Sequence, residues 1–187
     1  NTNTGELSGT PAGGSGGSYA LTLSANNGVG SAASQSFTLT VTQAPEISGG
    51  ATASFIVGSA NTYTPTATGF PAPSFSLSGS LPSGLSFSTS TGVISGTAQS
   101  GTGGSYPVTI TAGNGVPSDA TLSVTISVTE ASVITSANAT TFTVGSAGSF
   151  PVTATGTPAP TFGVTGTLPS GVTLNTSSGV LSGTPAG

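Results

Sequence analysis

The sequence predicts an all-β chain built as a tandem array of small β-sandwich modules, and three observations carry that expectation. The triplet Ser-Gly-Thr starts at Ser8, Ser95 and Ser182, 87 residues apart each time, and the flanking residues align at that period without a gap. Such self-similarity is the mark of a repeat architecture. Apolar side chains alternate with polar ones, as in Tyr106, Val108, Ile110 and Ala112, which is the period-2 pattern of half-buried strands. No segment sustains the i, i+3, i+4, i+7 spacing of a helix; runs of Val, Thr, Ser, Phe and Tyr are instead punctuated by Gly and Pro.

The complete module, residues 45–131, shows the elements in order. Ala53–Val57 is expected as a first strand, turned by Gly58-Ser59-Ala60, and Asn61–Thr68 as a second, with Tyr63, Pro65 and Ala67 on one face. Gly69-Phe70-Pro71-Ala72-Pro73 forms a stiff corner, because each proline fixes its own φ and restrains the residue before it. Ser74–Ser78 is the third strand, with Phe75 and Leu77 inward. Leu81-Pro82-Ser83-Gly84 is a turn, with Pro82 suited to its second position and Gly84 free to take positive φ. Leu85–Ser88 and Val93–Gly96 are short fourth and fifth strands around a Ser90-Thr91-Gly92 turn. Gly101–Gly104 reads as a flexible loop, as does Gly13–Gly17. Ser105–Ala112 is the sixth strand, Asn114-Gly115 a turn, and Ala120–Thr129 the last strand, with Leu122, Val124, Ile126 and Val128 inward.

Seven short one-sided strands in under 90 residues describe a two-sheet sandwich of immunoglobulin type, without the cysteines and tryptophan of antibody domains. The expected core is Tyr63, Phe75, Phe87, Tyr106 and Ile126, with equivalents Phe150, Phe162 and Leu174. Module boundaries are expected at Ala44-Pro45 and Ala131-Ser132, giving partial modules at 1–44 (the last three strands) and 132–187 (the first five). Linkers this short restrict bending. The partial modules fit a window on a longer array, or chains joined head to tail. In the second case Gly14 of one copy lies beside Gly187 of another, with Tyr19 and Phe37 filling a core made by Phe142, Phe150 and Phe162. Residues 1–13 duplicate 175–187, fifth strand included, which favours the longer array.

Composition narrows the function. Of 187 residues, none is Lys, Arg, His or Cys, and four are acidic (Glu6, Glu46, Asp119, Glu130), for a net charge of −4. With no basic residue, the electrostatic attraction that drives nucleic-acid binding is missing, and so is polybasic attraction to a membrane. No run reaches the ~18 apolar residues of a spanning helix. Isopeptide cross-links are impossible without lysine. The hydrophobic share of 34%, placed with period 2, argues for a folded core rather than disorder.

No His, Lys or Cys is present to activate the many hydroxyls, so no nucleophile–base pair can be written. No two carboxylates are close in sequence, and the four read as solvated surface acids. No catalytic, cofactor-binding or metal-binding residue is assigned. A calcium site between modules, using Glu46 or Glu130, is the weaker alternative to that reading. The Gly-rich runs lack the lysine and helix of a phosphate loop. Asn138-Ala139-Thr140 and Asn175-Thr176-Ser177 match the glycosylation sequon, a chance pattern in a Ser/Thr-rich chain. Phe70, whose counterpart is Thr157, is a lone loop aromatic, read as a satellite packing residue before a sugar platform.

The residues Leu81-Pro82-x-Gly84-Leu85, then Thr91-Gly92-Val93-Ile94-Ser95-Gly96-Thr97, followed by the strand Ser105–Ala112 and by Leu122–Val128, resemble the Putative Ig domain family, in register over the whole chain. The resemblance implies extracellular β-sandwich repeats of bacterial surface and secreted proteins, serving as stalks, spacers or adhesive modules. Where many relatives carry Asp after the sixth strand, this chain has Asn26 and Gly113. The expected function is therefore a non-enzymatic structural segment of a surface stalk or fibre, on a cell or a virion, partnered by neighbouring modules or copies of itself. The alternative is an adhesive module that binds glycans or a receptor.

Overall fold

In the computed structural model, which describes residues 1–187, the chain is all strand and turn. β1 (Gly17–Ala25) and β2 (Ala33–Val41) form an antiparallel hairpin. The complete module follows with β3 (Gln43–Ser48), β4 (Thr52–Ile56), β5 (Ala60–Tyr63), β6 (Thr66–Phe70), β7 (Ser74–Ser78), β8 (Leu85–Phe87), β9 (Ile94–Thr97), β10 (Gly104–Gly113) and β11 (Ala120–Ile134). The third module contributes β12 (Gly148–Pro151), β13 (Ala154–Thr157), β14 (Val172–Leu174) and β15 (Val180–Gly183).

In the complete module one sheet runs β4–β11–β10–β7, with β4 parallel to β11 and the other pairs antiparallel. The opposite layer is made of β3–β6 and β5–β9–β8. Between them lies one apolar cluster: Ala53 and Phe55 from β4, Ile94 from β9 with nearby Ala98, Val108 and Ile110 from β10, and Val124, Ile126 and Val128 from β11. The inward positions of β10 and β11 are those the alternation points to. The turn before β8 sits one residue later than expected: the Leu85 N–H donates to the Pro82 carbonyl at 3.2 Å, so Pro82 opens the turn rather than standing second in it, and Gly84 takes φ of 93°.

The repeat is a repeat of geometry. Gly17 pairs with Val41 as Gly104 pairs with Val128, and Gln43 pairs with Phe70 as Glu130 pairs with Thr157. Burial is not repeated. Val108 and Ile110 are 4% and 0% exposed, while their equivalents Leu21 and Leu23 on the lone hairpin are 37% and 45% exposed. In the third module Phe142, Phe150, Phe162 and Leu174 are only half-buried, and Val172 is its one buried large apolar side chain.

Four further expectations are corrected. The segment Gln43–Ser48, which spans the expected boundary at Ala44-Pro45 and lies outside every expected strand, is a strand, and its equivalent is the continuous end of β11, so the last strand stops at Ile134 rather than Thr129. The second strand breaks after Tyr63, because Pro65 has no N–H to give a ladder and Thr64 and Pro65 leave the sheet. The Gly101–Gly104 loop is pinned rather than free, for reasons given below. The aromatics Tyr63, Phe75, Phe87 and Tyr106 border the core half-buried, while its centre is aliphatic with Phe55; Ile126 does sit at the centre. Branched aliphatics fill the space between the two pleated faces, and the rings pack against that cluster from its border.

Candidate functional site

Polar groups converge where one module meets the next. Glu130 lies on β11 just past the stretch paired with β10, opposite Thr157 of β13. This places it under the loop that leads into β10. Its Oε1 accepts from the Gly101 N–H at 2.8 Å and the Ser100 hydroxyl at 3.1 Å, and its Oε2 accepts from the Gly103 N–H at 3.3 Å. The Gly101 N–H, helped by the Ser100 hydroxyl and the Gly103 N–H, holds the Glu130 carboxyl below the usual glutamate range, against a smaller opposing effect of desolvation.

The preceding junction has the same plan with a neutral side chain. Gln43, one period before Glu130, accepts the Gly16 N–H on Oε1 at 3.1 Å, and Gly16 is the counterpart of Gly103. A further tie comes from Asn114, in the loop between β10 and β11. Its Nδ2 donates to the Gln43 and Pro71 carbonyls, both at 2.8 Å, while its Oδ1 accepts the Val116 N–H at 3.1 Å. One amide side chain thus fastens a loop of the complete module to the strand entering it.

The other sequence candidates stay apart. Glu46 is exposed on β3 across from Thr68, Asp119 is exposed beside Gly113, and Glu6 is exposed in the segment before β1. No three His, Cys, Asp or Glu side chains gather. Glu130 faces three hydrogen-bond donors, the wrong end of each dipole for a cation, so the calcium alternative has no support there. The Ser100–Glu130 contact is not a nucleophile–base pair either, since a carboxyl held below its usual range is a poor base for a hydroxyl. Phe70 is half-buried against Gly16 at the first junction, a packing residue rather than a sugar platform.

Sequence reasoning missed Gln43, Gly16, Gly103 and Asn114, and it read Glu130 as a solvated surface acid where the structure holds its carboxylate with three donors. The available signal was periodic: Gly16 and Gly103 are glycines one period apart inside loops that read as featureless. The arrangement does one thing chemically, which is to hold consecutive modules against each other by backbone donors and side-chain acceptors.

Solved structures similar to this chain bear on the fold. A three-Ig segment of titin matches over 95% of this chain and 67% of its own, at 18% identity and a TM-score of 0.52. A putative alpha-galactosidase from Bacteroides fragilis matches at 25% identity with a TM-score of 0.41, over 48% of this chain and 19% of its own. The chain thus spans about a fifth of that protein's length. No curated protein matches in sequence. Tandem Ig-like sandwiches of this kind are structural or binding modules. The Putative Ig domain model matches residues 1–42, 44–129 and 131–187, and the chain accordingly belongs to the Putative Ig domain family, as successive Ig-like β-sandwich repeats.

Proposed function

We propose that the chain is a non-enzymatic structural segment of an extracellular stalk or fibre, a spacer that carries other parts of a protein away from a surface. One observation carries this reading. β11 is 15 residues long, roughly 50 Å at about 3.3 Å per residue, and serves two modules in turn. It pairs with β10 and β4 in the complete module and with β13 in the next. A strand shared in this way transmits tension along its own backbone and leaves no slack linker to stretch. The near absence of charge suits a surface of hydroxyls, which O-glycosylation could decorate.

The reading is tested on cells that make the protein. Antibodies raised against residues 1–187 should label intact, unpermeabilised cells or shed particles, and the purified chain should bind nothing on a glycan array. Labelling only after lysis would overturn the surface reading. Saturable binding to a defined glycan would replace the spacer by an adhesive module.

A further inference from the structure

Gly16 and Gly103 have no backbone reason to be glycine. Neither is among the glycines with positive φ, in contrast to Gly14 and Gly101 two residues earlier. What they lack is room. A Cβ on Gly16 would lie 2.7 Å from Gln43 Cβ and 2.9 Å from Phe70 Cβ. A Cβ on Gly103 would overlap Thr157 Oγ1 and lie 2.8 Å from Thr157 Cβ and 3.1 Å from Glu130 Cβ. In each case the obstruction is a cross-strand pair at the start of the following module, Gln43 with Phe70 or Glu130 with Thr157. In each case the same glycine donates its N–H to the side chain of the first member of that pair.

We propose that this bare glycine is the key of the inter-module joint. Each module seats it on the first cross-strand pair of the next, so that every joint of this type repeats one fixed orientation. The partner surface is the entry edge of a second Ig-like module, and its chemistry is a side-chain acceptor at position 43 or 130 beside a small gap over position 70 or 157. The two joints tolerate different residues around the key, Gln with Phe in one and Glu with Thr in the other, which makes the glycine the common element. A module with a larger residue there becomes a hinge in the array. The inference concerns module geometry and stands apart from where the protein resides.

The chain has no cysteine, so two can be placed alone. Ser90→Cys and Ser177→Cys mark exposed, period-equivalent sites on adjacent modules, and spin labels on them read the step of the array. The keyed joint gives one narrow inter-label distance in the full chain. Gly103→Ala turns that into a shifted or broad distribution. Adding Thr157→Gly, which removes the two atoms nearest to the new methyl and leaves only the Glu130 Cβ at 3.1 Å, brings the narrow distance back. A broad distribution without any joint substitution overturns the proposal. So does an unchanged distance in Gly103→Ala. If Gly103→Ala acts by unfolding its own loop, Thr157→Gly does not restore the distance, and that outcome overturns it too.

Discussion

At Glu130 three donors meet one carboxylate at the solvent edge, and the direction of its pKa follows. Because the folded value is depressed, its contribution is present above the unfolded value, about 4.3, and is lost as pH falls through the folded value. The Gly101 amide resonance should therefore titrate with a midpoint below that of an ordinary glutamate and stay constant from pH 5 to 8. Glu130→Gln should abolish this acid transition, and a midpoint at or above the ordinary glutamate value would disprove the geometry. Tyr63 behaves oppositely at the other end of the scale. Its hydroxyl donates to the Gly50 carbonyl at 2.7 Å, and burial pushes its pKa up. Its contribution is thus present below about pH 10 and lost as pH rises through the raised value. Tyr63→Phe should cost about 1 kcal/mol in urea unfolding at neutral pH and should flatten the alkaline limb.

Among the strands, position in the period sets the side chain, and the neighbouring layer sets its worth. Ile110 on β10 and Leu23 on β1 are period equivalents. Ile110 is fully enclosed by the opposite layer and Leu23 is 45% exposed. Ile110→Ala leaves a cavity and should cost about 2–5 kcal/mol, whereas Leu23→Ala should cost about 1 kcal/mol or less. Residue-resolved hydrogen exchange, reading each hairpin separately, gives both values. Equal losses would mean that the lone hairpin is as well covered as the complete module. The same contrast explains why the aromatics rank below the aliphatics here: alternation says which face a ring is on, not how far from the rim it stands.

For the whole molecule, composition makes two statements that no contact can alter. There is no Lys or Arg, so pure trypsin should leave even the heat-denatured chain at full length on a denaturing gel. Nothing but a free amino terminus titrates between about pH 6 and 9, given four carboxylates and no His or Cys. Melting temperature should then be nearly flat from pH 6 to 8.5, and a shift of several degrees would contradict it.

The period, the all-strand character, the immunoglobulin-type sandwich and the inward faces of β10 and β11 were all legible in the residues. Each depends on local steric preference, or on an alternation that the sequence displays directly. The continuity of β11 across a module junction, the break after Tyr63, and the meeting of Glu130 with Ser100, Gly101 and Gly103 came only with the tertiary structure. A linker with Pro45 and Glu46 in one copy and Ser132 and Val133 in the other has no strong strand signal of its own. It becomes a strand because β6 and β13 offer it a ladder to complete. Glycine looks the same in sequence whether it serves a turn or a tight contact. Only the Cβ atoms of Gln43, Phe70, Glu130 and Thr157, brought close across a joint, separate Gly16 and Gly103 from the loop glycines around them.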